Sequence, residues 1–558
     1  MAPVEGNTEG GLSMKKPVTT LAAAGMLVAG LAASPGAAAA DTTAPGATST
    51  RAPEYSPPPI AWGQCASASL QQAGAQCGLL TVPLDYAKPH GTKIKIAVSR
   101  IMHKTSGANA QGVMLVNPGG PGGSGLELAR LGEFVPNNGG DPYDWIGFDP
   151  RGVGSSQPSL SCDGAYFGGP RPYFVPETAA LRQAWWDKTR QYARDCGAAG
   201  GALLGHMKTT DVVSDMESIR KALGAGKINY YGFSYGTYLG QVYSTLHPDR
   251  VRRMVWDGVV NPVDVWYDAN LSQDIQFDKN IKIYFDWIAK HDDVYHLGTD
   301  GAAIEDLYYS IQQQLRRHPF GTLGPDEWND IFVGAAYYVY GWEDVAQVFA
   351  AAATGDLGPA RDSYGDPTGP GADNGYANYL AVQCTDAQWP QGWGKWAKDN
   401  WALHQTSPFL TWNNAWYNMP CRYWPARAGT PVNVNGARVP GVLLIEETND
   451  AATPWAGAIE VRKRYPGSVL IEGVGGTTHA GSLSGVSCTD DRIATYLLTG
   501  ALPARLSGNR SDVQCEPVPP PDPAPAAGAA AKAGSGSAIQ DRLPADLRRV
   551  ITQASTAG

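Results

Sequence analysis

Ser234 sits in the run Tyr230-Tyr231-Gly232-Phe233-Ser234-Tyr235-Gly236, with a glycine two residues away on either side. A nucleophile held on a sharp strand-to-helix turn needs such neighbours, because side chains there would force the two backbones apart. Lys227–Tyr231 reads as a short buried strand, and Thr237–Leu246, free of proline and charge, can run as a helix. In a chain with 67 glycines the pattern alone is a weak signal. A serine hydroxyl becomes a good nucleophile only beside a base, and the base needs an acid to orient it, so partners must be found elsewhere.

On a parallel sheet of the α/β-hydrolase type these groups follow the chain order Ser, then Asp or Glu, then His, because acid and base ride on loops after the last strands. Of the histidines at 90, 103, 206, 247, 291, 296, 318, 404 and 479, only His479 follows an acid of this kind. It stands just after the predicted strand Ser468–Val474, among Gly475, Gly476 and Gly481, where a base could turn toward Ser234; the plainer reading is a surface-loop histidine. Asp450 follows the predicted strand Val442–Glu446 and precedes Thr453-Pro454, which makes it the preferred acid. Asp257, at the end of the strand after the nucleophile, competes for that role, while Glu446 and Glu447 read as strand or strand-edge residues.

Acyl transfer through serine also needs backbone N–H groups aimed at the oxyanion. Asn117-Pro118-Gly119-Gly120-Pro121-Gly122-Gly123-Ser124-Gly125 follows a predicted strand and offers them: glycines let main chain approach a substrate, and prolines stiffen the loop. The Gly119 or Gly120 amide and the Tyr235 amide are the expected donors. A phosphate cradle is disfavoured, because the loop lacks the Lys-Ser/Thr ending of a P-loop. Asp149-Pro150-Arg151-Gly152 closes another strand, and its charged residues are expected to hold neighbouring loops.

These groups need a scaffold, and the hydrophobic patterning supplies one. Gly78–Asp85, Lys93–Arg100, Gly112–Asn117, Asp144–Asp149 and Val251–Val260 read as strands, and Asp211–Leu223 as an amphipathic helix before the Ser234 strand. Strands alternating with helices predict an α/β fold: a mostly parallel sheet covered on both faces. From about Val263 to Arg427 the pattern turns helical, as in Gln276–Ile288 and Ala302–Leu315, with a loop over Gly355–Gly375. The expected organisation is therefore a core over 60–263, an inserted, mainly helical cap over 264–427 and a second core piece over 428–515 that ends with a helix Asp490–Leu498. A low-complexity tail over 516–558 follows, with a short exposed helix at Ile539–Thr552.

Met14-Lys15-Lys16, the apolar run Leu21–Ala33 and Ala38-Ala39-Ala40-Asp41 have the three parts of a secretory signal peptide cleaved after Ala40. Residues 1–13 precede that basic start and read as a start site assigned too early. The stretch 41–59, rich in Ala, Thr and Pro, reads as a disordered or pro-segment. No run is long enough to span a bilayer, so a secreted, extracellular protein free of the membrane is expected. Eight cysteines in an exported chain favour disulfides, with Cys65–Cys77, Cys162–Cys196, Cys384–Cys421 and Cys488–Cys515 as the sequence-local couples; a mixture of bridges and free thiols is the alternative. The net charge of -9 excludes a basic stripe for nucleic acid. No metal or cofactor is called for, and a monomer is expected.

Taken together, Val82-Pro83-Leu84-Asp85-Tyr86-Ala87-Lys88-Pro89, Asn117–Gly125, Asp149–Gly154, Tyr231–Gly240, Cys384-Thr385-Asp386-Ala387, Asp450-Ala451-Ala452-Thr453-Pro454 and the segment Cys488–Cys515 resemble the secreted tripeptidyl aminopeptidases of actinobacteria. These belong to the proline-iminopeptidase-like group of α/β-hydrolase serine peptidases. The resemblance covers about residues 60–515 and implies a triad of Ser234, Asp450 and His479 that removes short peptides, usually tripeptides, from free N-termini of peptides or proteins. One departure is Ala480 directly after His479, where the family usually has glycine. A protonated α-amine needs a carboxylate partner, and Glu343 and Asp386 are the candidates among aromatic neighbours. The rival readings are a secreted carboxylesterase or lipase with the same triad and a non-catalytic binding protein on the same scaffold. Epoxide hydrolase or dehalogenase chemistry would want a carboxylate at position 234.

Overall fold

The computed structural model describes residues 55–365, 367–523 and 543–556. The expected signal peptide, most of the stretch 41–59 and the segment 524–542 lie outside the described residues. Ten strands form one sheet: β1 (Gly63–Gln64), β2 (Gln76–Pro83), β3 (Lys93–Ile101), β4 (Val113–Asn117), β5 (Asp144–Asp149), β6 (Ile228–Phe233), β7 (Val251–Asp257), β8 (Val442–Glu447), β9 (Val469–Gly473) and β10 (Val513–Cys515). Their order is β1-β2-β3-β5-β4-β6-β7-β8-β9-β10. The pairs β1–β2, β2–β3 and β3–β5 are antiparallel, and every pair from β5 to β10 is parallel.

Buried residues of both parities explain why the central strands read as continuous apolar runs. In β4, Val113 and Leu115 pack on one face and Met114 and Val116 on the other; in β6, Tyr230 and Tyr231 divide the same way. Successive side chains of a strand point to opposite faces, so a run buried at every position needs cover on both. The helices Thr209–Ala222 and Tyr235–Leu246 cover one face, and Leu126–Phe134 with the helix Ser487–Thr499 covers the other.

Register brings the functional loops together. Asn117 pairs with Gly232, Phe233 with Asp257, Asp257 with Ile445, and Glu446 with Glu472, so β4, β6, β7, β8 and β9 all deliver their carboxyl ends to one edge. Between β7 and β8 the chain is helical, from the long helix Tyr267–Lys290 to Thr411–Asn418. Its own apolar core is built from Phe277, Tyr284, Trp328, Phe332 and Phe349. The region expected as a loop over Gly355–Gly375 holds the helix Gly358–Tyr364, whose Ala360 is fully buried. Four disulfides join Cys65–Cys77, Cys162–Cys196, Cys384–Cys421 and Cys488–Cys515, and no cysteine is free among the described residues.

Two terminal expectations need correction. The Tyr55 hydroxyl donates to the Thr81 carbonyl at 2.8 Å, so packed chain begins before residue 60. The C-terminal helix Ala545–Thr556 is not an exposed appendage: Leu543, Leu547 and Ile551 are buried in the same cluster as Leu128 and Leu131, and Arg130 is ion-paired with Asp546. The amphipathic spacing of Leu543, Leu547 and Ile551 carries this signal, and the low-complexity sequence before it conceals it.

Candidate active site

Ser234 begins the helix Tyr235–Leu246 with φ 55° and ψ −127°, a left-handed backbone that L residues rarely adopt. The turn is pinned at both ends. The Ser234 amide donates to the Asp257 carbonyl (2.9 Å), and the Thr237 amide and hydroxyl both donate to the Ser234 carbonyl (2.8 and 2.7 Å). At Gly232 a Cβ would lie 2.6 Å from the Gly236 carbonyl oxygen, so the strand and helix can approach this closely only without a side chain.

His479 is completely buried. Its ring Nδ1–H donates to Asp450 Oδ2 at 2.6 Å, and its backbone amide donates to the Tyr337 carbonyl at 2.9 Å. The aromatic rings of Tyr337 and Tyr338 stand 5.9 and 6.1 Å from the imidazole. With Nδ1 engaged, the lone pair lies on Nε2, which is buried and has no hydrogen-bond partner among the described residues. Asp450 is equally enclosed: Oδ1 accepts from the Ala452 and Thr453 amides, both at 2.9 Å, and Oδ2 accepts from the Thr453 hydroxyl at 2.9 Å. Sequence reasoning passed over Thr453, which touches both members of the pair, its hydroxyl also lying 3.3 Å from His479 Nδ1.

The competing acids face elsewhere. Asp257 accepts from the Ser482 amide at 2.8 Å; burial lifts its carboxyl to about 6, with the Ser482 bonds and the His479 charge pulling the other way. Glu446 accepts from the Val259 amide at 2.6 Å, and burial, then the neighbouring Asp450 charge, hold it well above the carboxylate range. Glu447 clamps the histidine loop, accepting from the Thr478 and Val518 amides at 2.6 and 2.7 Å, and burial pushes it up to about 8.

The glycine loop after β4 meets the serine turn directly. The Gly119 amide donates to Asn117 Oδ1 at 3.0 Å and is thereby engaged, whereas Gly120 lines the cavity beside Ser234 and Tyr235. Among the described residues the Gly120 and Tyr235 amides have no protein acceptor; Tyr235 is a first-turn helix amide, which has no intrahelical partner. Asp149 braces the loop by accepting from the Ser124 hydroxyl (2.6 Å) and the Gly125 amide (3.0 Å). Arg151 does not pair with Asp149; it is fully buried against Asp215, with Nη2 and Oδ1 2.7 Å apart.

A cavity of about 590 Å³ opens on Ser234, with the helical segment between β7 and β8 forming much of its wall. That is the size range of ligand pockets and is ample for a short peptide. The two carboxylates expected to receive an amine lie elsewhere: Glu343 is exposed on the first turn of the helix Trp342–Ala353, and Asp386 is buried against the Thr209 amide and hydroxyl at 2.7 and 2.5 Å. Burial lifts Asp386 to about 6, opposed by those Thr209 bonds. The carboxylates that do line the cavity are Asp264 and Asp330. No cluster suited to a metal ion occurs among the described residues.

A serine on a strand-to-helix turn, with an Asp–His pair delivered by the loops after later strands of a mostly parallel sheet, defines an α/β-hydrolase. Residues 112–351 match the family model described as alpha/beta hydrolase fold, and residues 407–515 match that of TAP-like protein. The tripeptidyl aminopeptidase of Streptomyces coelicolor is 43% identical over 471 residues, covering 82% of this chain and 86% of its own. Carboxylesterase B of Mycobacterium tuberculosis is 30% identical over 519 residues, covering 88% of this chain and 97% of its own. The serine protease Hip1 of the same organism is 29% identical over 479 residues, covering 80% and 90%. The chain belongs to the tripeptidyl aminopeptidase family of α/β-hydrolase serine peptidases.

Proposed function

We propose that the protein is a secreted serine exopeptidase that releases tripeptides from free N-termini through an acyl-enzyme on Ser234. The observation that carries the triad is the state of His479: one ring nitrogen is held by Asp450 and the other is buried and unengaged. In this reading His479 Nε2 takes the Ser234 proton as Oγ attacks the scissile carbonyl, and Asp450 stabilises the imidazolium that forms. The oxyanion is met by the Gly120 and Tyr235 amides. The imidazolium then protonates the departing amine, and a water molecule activated by His479 hydrolyses the acyl-enzyme. The helical segment 264–427 acts as the cap that selects what reaches Ser234. Export is supported by the N-terminal pattern and by the four disulfides, which persist in oxidising compartments. Among the described residues no helix is long and apolar enough to cross a membrane.

A carboxylesterase reading draws on the relative named carboxylesterase B. Rates on a tripeptidyl anilide with a free amine and on its N-acetylated form separate the two. The exopeptidase requires strong preference for the free amine, and equal rates would leave an esterase-like enzyme. Labelling by a fluorophosphonate that is lost in Ser234→Ala tests the nucleophile in either case.

A further inference from the structure

The cavity has an internal length scale. The helix Pro325–Tyr337 presents Asp330, Val333, Gly334 and Tyr337 to it, positions i, i+3, i+4 and i+7 on a single helical face. Tyr337 lies at the catalytic end, where its carbonyl accepts the His479 amide and its ring stands 5.9 Å from the imidazole. Asp330 lies seven residues back, about 10 Å along the axis at ~1.5 Å per residue. An extended peptide spans at most roughly 3.3–3.6 Å per residue, so three residues cover about 10 Å, two about 7 Å and four about 13 Å.

Asp330 also stands among other acids, Asp326 and Glu327. Arg171 faces Asp326, Glu327 and Asp330: its Nε donates to Glu327 at 2.7 Å and its Nη2 is ion-paired with Asp330, while Lys188 is a second cation toward Asp326 and Glu327. Asp326 is buried, and burial holds it well above the carboxylate range against the pull of Arg171. Glu327 and Asp330 both bind the Arg171 guanidinium. Glu327 is fully enclosed, also accepting from the Gly324 and Arg171 amides, whereas the Asp330 side chain keeps 27% of its surface exposed and lines the cavity. Its Oδ1 takes only the Asn413 amide, at 2.8 Å, and a carboxylate oxygen can accept a second donor.

We propose that Asp330 binds the protonated α-amine of the substrate and, by its two-turn separation from the His479 end of the helix, fixes the released fragment at three residues. This rests on the aminopeptidase reading above. The incoming ammonium donates to the open acceptor position of Asp330 Oδ1, and the aromatic residues Tyr376, Tyr379 and Tyr417 line the cavity.

The test measures kcat/KM for free-amine and N-acetylated tripeptidyl anilides on the wild type, Asp330→Asn, Asp330→Glu and Asp264→Asn. Wild-type indifference to acetylation would defeat the aminopeptidase reading itself. Given a wild-type preference, Asp330→Asn is expected to lower kcat/KM for the free amine by roughly 10- to 100-fold, mainly through KM, and to collapse the preference. Asp330→Glu is expected to restore part of it. A parallel fall on both substrates would mean a structural role, and loss of the preference in Asp264→Asn instead would move the amine to Asp264; either overturns the proposal. Should Asp330→Asn fail to fold, the wild type still decides through di-, tri- and tetrapeptidyl anilides: a tripeptide optimum supports the spacing, and a di- or tetrapeptide optimum refutes it.

Discussion

Gly119 lies so close to Ser234 that a Cβ built on it would stand 2.7 Å from the Ser234 Cβ and 2.6 Å from the Phe233 carbonyl oxygen. Gly119 also has φ +100°, which an L side chain tolerates poorly. Gly119→Ala must therefore displace either the serine turn or the loop that carries Gly120. Loss of one oxyanion donor costs on the order of 100-fold or more in kcat, and a drop of that size on a tripeptidyl anilide is expected, with slower fluorophosphonate labelling of Ser234. Wild-type labelling kinetics in Gly119→Ala would show that the loop does not serve the serine.

Asp450→Asn is expected to lower kcat by roughly 10³- to 10⁴-fold with little change in KM, because an amide cannot hold the imidazolium or enforce the same tautomer. Asp257→Asn provides the contrast. Its carboxylate accepts from Ser482 rather than from His479, so the expected loss in kcat is under about tenfold. A larger loss in Asp257→Asn than in Asp450→Asn would reverse the assignment of the acid.

Glu447 predicts a pH dependence of stability. Its folded pKa, about 8, lies above that of an unfolded glutamate, so the folded state holds the proton more tightly. The stability it confers is fully present below the ordinary carboxyl range and is lost as pH rises toward 8; Asp257 and Asp386, both lifted to about 6, act in the same direction over a narrower window. Melting curves from pH 5 to 8.5 should therefore decline for the wild type and flatten in Glu447→Gln. An unchanged slope in the variant would place the titration elsewhere.

Truncation after residue 542 removes the helix Ala545–Thr556 and uncovers the apolar surface around Leu128 and Leu131. Each fully buried Leu or Ile contributes about 1.5–3 kcal/mol before the entropy of ordering the helix is subtracted. A net loss of roughly 1–3 kcal/mol is expected in denaturant titration, together with increased binding of an apolar dye. The helix also reaches the region of His479: Arg548 lies over the Tyr340 ring at 4.3 Å, and the Tyr340 hydroxyl bonds Ser484 at 2.5 Å.

The sheet was legible because its strands are buried on both faces and read as unbroken apolar runs. The strands expected at Asp144–Asp149 and Val442–Glu446 and the helix at Asp211–Leu223 lie within a residue or two of those observed. The two-residue β1 and three-residue β10 carry no periodicity that a sequence can display. Asp450 and His479 could be singled out because chain order constrains them, and the fold brings their side chains within 2.6 Å. The surroundings could not, since Thr453, Asn117 and Asp330 are ordinary polar residues whose importance depends on contacts distant in sequence. Glu343 and Asp386 illustrate the same limit: an aromatic neighbourhood along the chain did not mean a place in the cavity.

All four disulfides close loops between cysteines no more than 37 residues apart, and the bridge within the helical segment, Cys384–Cys421, joins that segment only to itself. No covalent staple ties the cavity's roof to the sheet that carries Ser234, Asp450 and His479. The crossover is instead fastened by hydrogen bonds to the loops that carry the acid and base, Tyr337 taking the His479 amide and Asn280 reaching the Asn449 carbonyl at 2.8 Å, so any graft between β7 and β8 must bring those contacts with it.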